Sequence, residues 1–146
     1  MSPTARARTI TGAARAVARL AKQVEVALAP LDLSLPQYRV LALLGEGSTA
    51  SGVLARRLAV SPPSVTAVVD GLVSRGLVER QADPEDRRRL TLLLTRDGTK
   101  LLAAADAAAE ARLDEIAGYF DVAPTGLDGW NLALDRNREA RLEQDK

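Results

Sequence analysis

From Ile10 onward, apolar residues recur at Ile10, Ala14, Val17, Ala21, Val24, Leu28 and Leu31, with spacings that alternate between four and three. That period places them on one face of a helix. The helix should end near Ala29 and Pro30, because proline lacks an amide proton and restricts the residue before it. Ser34 then reads as the N-cap of a helix with Pro36 in its first turn and Tyr38, Val40, Leu41, Leu43 and Leu44 within it, stopped by Gly45 and Gly47. A short helix from Gly52 to Leu58 follows, started by Thr49 or Ser51. Ser61 caps a third, whose first two positions are Pro62 and Pro63, where a missing amide proton costs nothing. It runs to Arg75 and is closed by Gly76.

After Gly76 the period changes. Residues 77–80 (Leu-Val-Glu-Arg) and 90–95 (Leu-Thr-Leu-Leu-Leu-Thr) predict two antiparallel strands, joined through a tight turn at Asp83-Pro84-Glu85-Asp86. A second long helix is expected from Asp97, with apolar positions at Leu102, Ala105, Ala109, Leu113, Ile116 and Phe120. A last helix carries Leu127, Trp130 and Leu134, its start weakened by Gly126 and Gly129.

Composition narrows the chemistry. The 146 residues suffice for one domain with a real core, and at 3% aromatic that core must be aliphatic. The chain has no Cys and no His, which removes the ligands of nearly every zinc, copper or iron–sulfur site, the usual general base, and thiol redox sensing. No metal site and no cofactor is expected. No Gly-rich phosphate loop, nucleophile elbow or paired carboxylate motif stands out, so an enzyme is not expected. Without a long apolar run or a signal-like start, the protein is expected to be cytoplasmic and away from the membrane. The net charge of +1 conceals an asymmetry: residues 1–96 hold 14 Lys/Arg against 8 Asp/Glu, and residues 97–146 hold 6 against 11. A basic front suits a polyanion, although helical surfaces also vary in charge without one.

The order of helix, short helix, capped helix and two-stranded ribbon is that of a winged helix-turn-helix, in which the second of two crossing helices offers its N-terminal turns to the major groove. Val65, Val68 and Leu72 should face the core, leaving Pro63, Ser64, Thr66, Ala67 and Asp70 outward. Arg87, Arg88 and Arg89 sit at the ribbon tip behind three carboxylates. There an arginine can enter a narrow minor groove, with a neighbouring carboxylate fixing its rotamer.

Across residues 35–95 the sequence resembles the MarR family of bacterial regulators. The resemblance rests on Leu-Pro-Gln-Tyr at 35–38, Leu54-Ala55 and Leu58, Ser-Pro-Pro-Ser-Val-Thr at 61–66, Asp70-Gly71-Leu72, Arg75-Gly76-Leu77-Val78, and the aspartate-rich turn with Arg87-Arg88-Arg89 leading to Leu94-Thr95. It implies a homodimer joined by N- and C-terminal helices, with two winged regions on double-stranded DNA bearing a pseudo-palindromic operator. It also implies that Ser61, Pro62, Pro63, Ser64, Thr66 and Ala67 enter the groove, and that Arg88, with Arg87 beside it, is the wing contact. Ala67 and Gly71 stand where the family often has Arg or Lys, so readout would lean on Ser64, Thr66, contacts with thymine methyls, and DNA shape. A small aromatic or phenolic effector is implied as well, with Arg15, Arg19 and Tyr38 as candidate contacts, although surface and core roles also suit these residues.

The expected architecture is mainly α with a small β-wing: dimerisation helix 1–33, winged helix-turn-helix 34–96, and dimerisation helices 97–146. The expected function is that of a sequence-specific, homodimeric transcriptional regulator, a repressor released by an effector. An architectural or weakly specific DNA-binding protein without an effector is the alternative.

Overall fold

The computed structural model describes residues 3–119 and 129–144. The chain divides into two compact units, residues 28–107 and residues 1–27 with 108–146.

The first unit is the winged one. Helix α2 (Leu35–Gly45) begins in a complete capping box: the Gln37 amide donates to Ser34 Oγ at 3.2 Å, and the Ser34 amide donates to Gln37 Oε1 at 2.9 Å. Thr49 and Ala50 do not start a helix; they form a short strand β1 (Thr49–Ala50) and α3 (Ser51–Leu58) follows without a side-chain cap. The reason is pairing, since β1 lies antiparallel to β3 (Leu90–Leu94), with Thr49 opposite Leu92 and Ala50 opposite Thr91. The sheet order is β1-β3-β2, where β2 spans Val78–Ala82 and runs two residues beyond the expected strand.

Helix α4 (Pro62–Ser74) starts as the sequence indicates, with Ser61 Oγ accepting from the Ser64 amide. Its buried stripe is Val65, Val69 and Leu72, and the expected Val68 is only half-buried. At about 100° per residue, Val65, Val69 and Leu72 cluster within one narrow arc and Val68 falls at its edge. Leu41, Leu54, Leu72 and Leu92 are fully enclosed, so the core sits where α2, α3, α4 and the sheet converge.

Thr95 joins the ribbon to α5 (Arg96–Ala117). Its hydroxyl donates to the Gly76 carbonyl at 2.6 Å and accepts from the Gly98 amide at 3.0 Å, while its own amide donates to the Leu77 carbonyl at 3.1 Å. One side chain thus caps the helix and closes the turn after α4.

The second unit comprises most of α1 (Pro3–Leu28), the last part of α5, and α6 (Gly129–Gln144). Ile116, Ala133 and Leu134 form its centre, with Leu20, Tyr119 and Trp130 packed against them. The stripe expected on α1 holds toward its end, where Ala21 and Val24 are half-buried and Leu28 is fully buried, but departs earlier: Ala16 is fully buried, whereas Ala14 is exposed and Val17 is 51% exposed. The apolar residues of α1 are broader than one core face needs. Phe120 and Leu127 lie outside the described residues.

Polar bonds cross-link the three helices. Arg112 donates to Gln23 Oε1 (2.9 and 2.5 Å), Asn137 Oδ1 (2.9 Å) and Glu115 Oε2 (2.6 Å), and Arg19 donates to Asp135 at 2.7 Å and to Asn131 at 3.1 Å. No described helix is long and apolar enough to cross a membrane.

Candidate nucleic-acid interface

The N-terminal end of α4 stands clear of the core. Ser61, Pro62, Pro63, Ser64, Thr66 and Ala67 are all exposed, while Val65 between them is buried and anchors the turn. Ser61 Oγ and Ser64 Oγ lie 2.7 Å apart, and Thr66 Oγ1 donates to the Pro62 carbonyl at 3.0 Å. The hydroxyl proton of Thr66 is therefore already used, leaving its lone pairs and methyl group for a partner. No acidic residue occupies the first turn of α4, so the positive end of the helix dipole is uncompensated there.

Asp70, one turn further along, pairs with Arg80 of β2. This ion pair ties the recognition-type helix to the wing and neutralises the one carboxylate that would otherwise face a polyanion from α4. Sequence reasoning placed Asp70 outward but could not find its partner, since Arg80 reads as an ordinary strand residue.

The loop between β2 and β3 is built by its carboxylates. Asp83 Oδ1 accepts from the Glu85 amide at 2.9 Å, Asp86 Oδ1 accepts from the Arg88 amide at 3.0 Å, and the Asp83 amide donates to the Arg89 carbonyl at 2.9 Å. The first two are Asx turns, which shape the backbone, and the third is a main-chain bond that closes the loop. The carboxylates were expected to fix arginine rotamers; they bind main-chain amides instead. Among the described residues no ion pair joins Arg87, Arg88 or Arg89 to a carboxylate, and all three are exposed.

The three candidate effector contacts divide between the units, with Arg15 and Arg19 in the helical one and Tyr38 in the winged one. Arg15 is exposed, Arg19 is held by Asn131 and Asp135, and the Tyr38 hydroxyl donates to Asp106 Oδ1 at 2.6 Å. No group of described residues could hold a metal ion.

A model of the MarR family matches residues 31–89. An uncharacterized HTH-type transcriptional regulator of Mycobacterium leprae is 36% identical over 110 residues, 75% of this chain and 77% of the relative. The HTH-type transcriptional repressor Rv2887 of Mycobacterium tuberculosis is 36% identical over 103 residues, 68% of this chain and 74% of the relative. Its crystal structure in complex with p-aminosalicylic acid is similar with a TM-score of 0.63 and 29% identity, covering 89% of this chain and 92% of that one. A mutant MarR of Escherichia coli complexed with operator DNA has the same fold, with a TM-score of 0.68 at 22% identity over 84% and 87% of the two chains.

Proposed function

This chain belongs to the MarR family of transcriptional regulators, which are not enzymes, and on that premise we propose that it is a homodimeric repressor that binds a pseudo-palindromic operator. The observation that carries this reading is the pairing of an exposed, dipole-uncompensated α4 N-terminus with exposed wing arginines that, among the described residues, form no ion pair. Ser64, Thr66 and Ala67 face base edges, Ser61, Pro62 and Pro63 set the entry of the helix, and Arg88 with Arg87 reaches the minor groove. The dimer is supported by exposed apolar side chains on the helical unit, among them Val17, Val26, Leu132 and Leu142, each about half exposed. The repressor sense follows the relative named as one. Selecting bound sequences from a random DNA pool tests the proposal. A palindromic consensus bound at least a thousandfold more tightly than random duplex at fixed salt is expected. A ratio near one favours the architectural alternative, in which the sparse base-reading side chains of α4 serve only to seat the protein.

Release by a small aromatic or phenolic acid is the finer part of the proposal, supported by the p-aminosalicylic acid complex of a relative. Of the candidate contacts, Arg15 is the cation that α6 does not already hold, because an acid on Arg19 would have to displace Asp135. Loss of operator binding on titrating a benzoate-class acid, abolished by Arg15→Gln, is the expected result.

A further inference from the structure

The β1–β3 pairing ends at Ala50 opposite Thr91, and beyond it the two segments part: one enters α3 at Ser51, the other runs back into the wing through Leu90 and Arg89. Between them lies an open cleft of about 440 Å³, walled by Ser51, Gly52 and Arg56 of α3 and by Arg88 and Arg89 of the wing. Its charged lining is entirely cationic. The neighbouring Arg57 differs, since it pairs with Glu46 at 2.6 Å, whereas among the described residues Arg56 and Arg89 meet no carboxylate. A Cβ built on Gly52 would meet nothing within 4 Å, so the floor at the first turn of α3 is bare backbone with room for a ligand. With Arg88 assigned to the minor groove, the guanidinium groups of Arg56 and Arg89 remain to line a hollow that no carboxylate lines, which suits a tetrahedral oxyanion bound in forked pairs.

We propose that this cleft is a phosphodiester-binding site, in which Arg56 and Arg89 clamp one DNA backbone phosphate between α3 and the end of the wing loop. The site rests on the DNA-binding reading and adds to it a contact separate from those assigned to α4 and to Arg87 and Arg88. It positions the protein on the duplex and carries no base information. Because β1 joins the cleft to the sheet, a phosphate seated there sets where the wing meets the minor groove.

The test compares wild type with Arg56→Gln/Arg89→Gln and with Gly52→Glu on operator and random duplexes over a salt series. The double variant should weaken both duplexes by a similar factor and flatten the slope of log affinity against log salt by about two units, as for one lost phosphate contact in each protomer of the dimer. Gly52→Glu adds a residue that favours a helix start and suits its dipole, so α3 is not weakened, yet it places a carboxylate in the cleft. It too should lose affinity on both duplexes, with thermal stability unchanged or raised. A duplex with one neutral methylphosphonate, moved stepwise along the operator, should locate two symmetry-related positions, one in each half-site, that weaken wild type and leave the double variant unaffected. Wild-type affinity and slope in the double variant would overturn the cleft while leaving the DNA-binding reading intact. Absence of duplex binding by wild type would overturn both.

Discussion

Two residues at the foot of the wing show how tightly single side chains hold the interface in place. A Cβ on Gly98 would fall 2.0 Å from the Leu77 carbonyl oxygen, a backbone atom that cannot swing away. Gly98→Ala should therefore cost about 3 kcal/mol or more, measured by denaturant unfolding, because α5 or the turn after α4 must move. Thr95 acts beside it through its hydroxyl, which both accepts from Gly98 and donates to Gly76. Thr95→Val, similar in shape but without the oxygen, should lose about 1 to 2 kcal/mol, while Thr95→Ser should lose much less. On the proposed DNA face the expected division of labour differs. Arg88→Ala should weaken operator and random DNA together, with an effect that shrinks as salt rises. Thr66→Ala should instead cost on the order of 1 to 3 kcal/mol on operator and little on random sequence, since it removes readout without removing charge. An unchanged specificity ratio in Thr66→Ala would show that α4 does not read bases at that position.

At the scale of elements, the helix-turn-helix carries its glycine in the wrong place for stability. Ala59, which ends α3, adopts the left-handed conformation with φ 54°, a geometry that costs an L-residue about 1 kcal/mol and a glycine nothing. Gly71 sits in the interior of α4, where an added Cβ would meet only the Gln37 side chain at 3.9 Å. Ala59→Gly and Gly71→Ala should each raise stability by roughly 0.5 to 1 kcal/mol, additively, in thermal or urea unfolding. The same elements show what the chain reveals unaided. Ser34, Ser61 and the Pro62-Pro63 pair are local signals, and the helices start where those signals lie because a cap needs only its own next turn. β1 was hidden because two residues carry no period; only β3 makes them a strand. Asp70–Arg80 and the cleft at Arg56 and Arg89 were hidden for a related reason: both join segments whose proximity depends on the register of the ribbon. The exposed arginines were legible as a run, and their carboxylate neighbours were misread because an Asx turn and a side-chain ion pair use the same residues.

For the whole molecule, the helical unit is where assembly and acid tolerance are to be tested. Ile116 is completely buried within the unit, so a charge there should unfold it, whereas Leu132, 53% exposed, offers a test of association without loss of fold. Leu132→Glu should convert a dimer to a folded monomer in sedimentation at micromolar concentration. Acid should act through Glu115, whose carboxylate is held below the usual range, first by its bond from Arg112 and further by Arg141 and Asn137, against an opposing cost of burial. A depressed folded-state value means that the protonated form is disfavoured in the native unit. The stabilisation is complete above the ordinary glutamate range and is lost as pH falls through the lower, folded value. The side chain is 44% exposed, so solvent screens the bonds and the effect is modest. It nonetheless has a definite signature, because Glu115 ties α5 to α6 through Arg141 and shares Arg112 with Gln23 of α1. Glu115→Gln should lower stability at neutral pH and leave the unfolding midpoint less dependent on pH below about 5 than in wild type. Parallel wild-type and variant curves through that window would show that Glu115 is not the group whose protonation loosens the three helices.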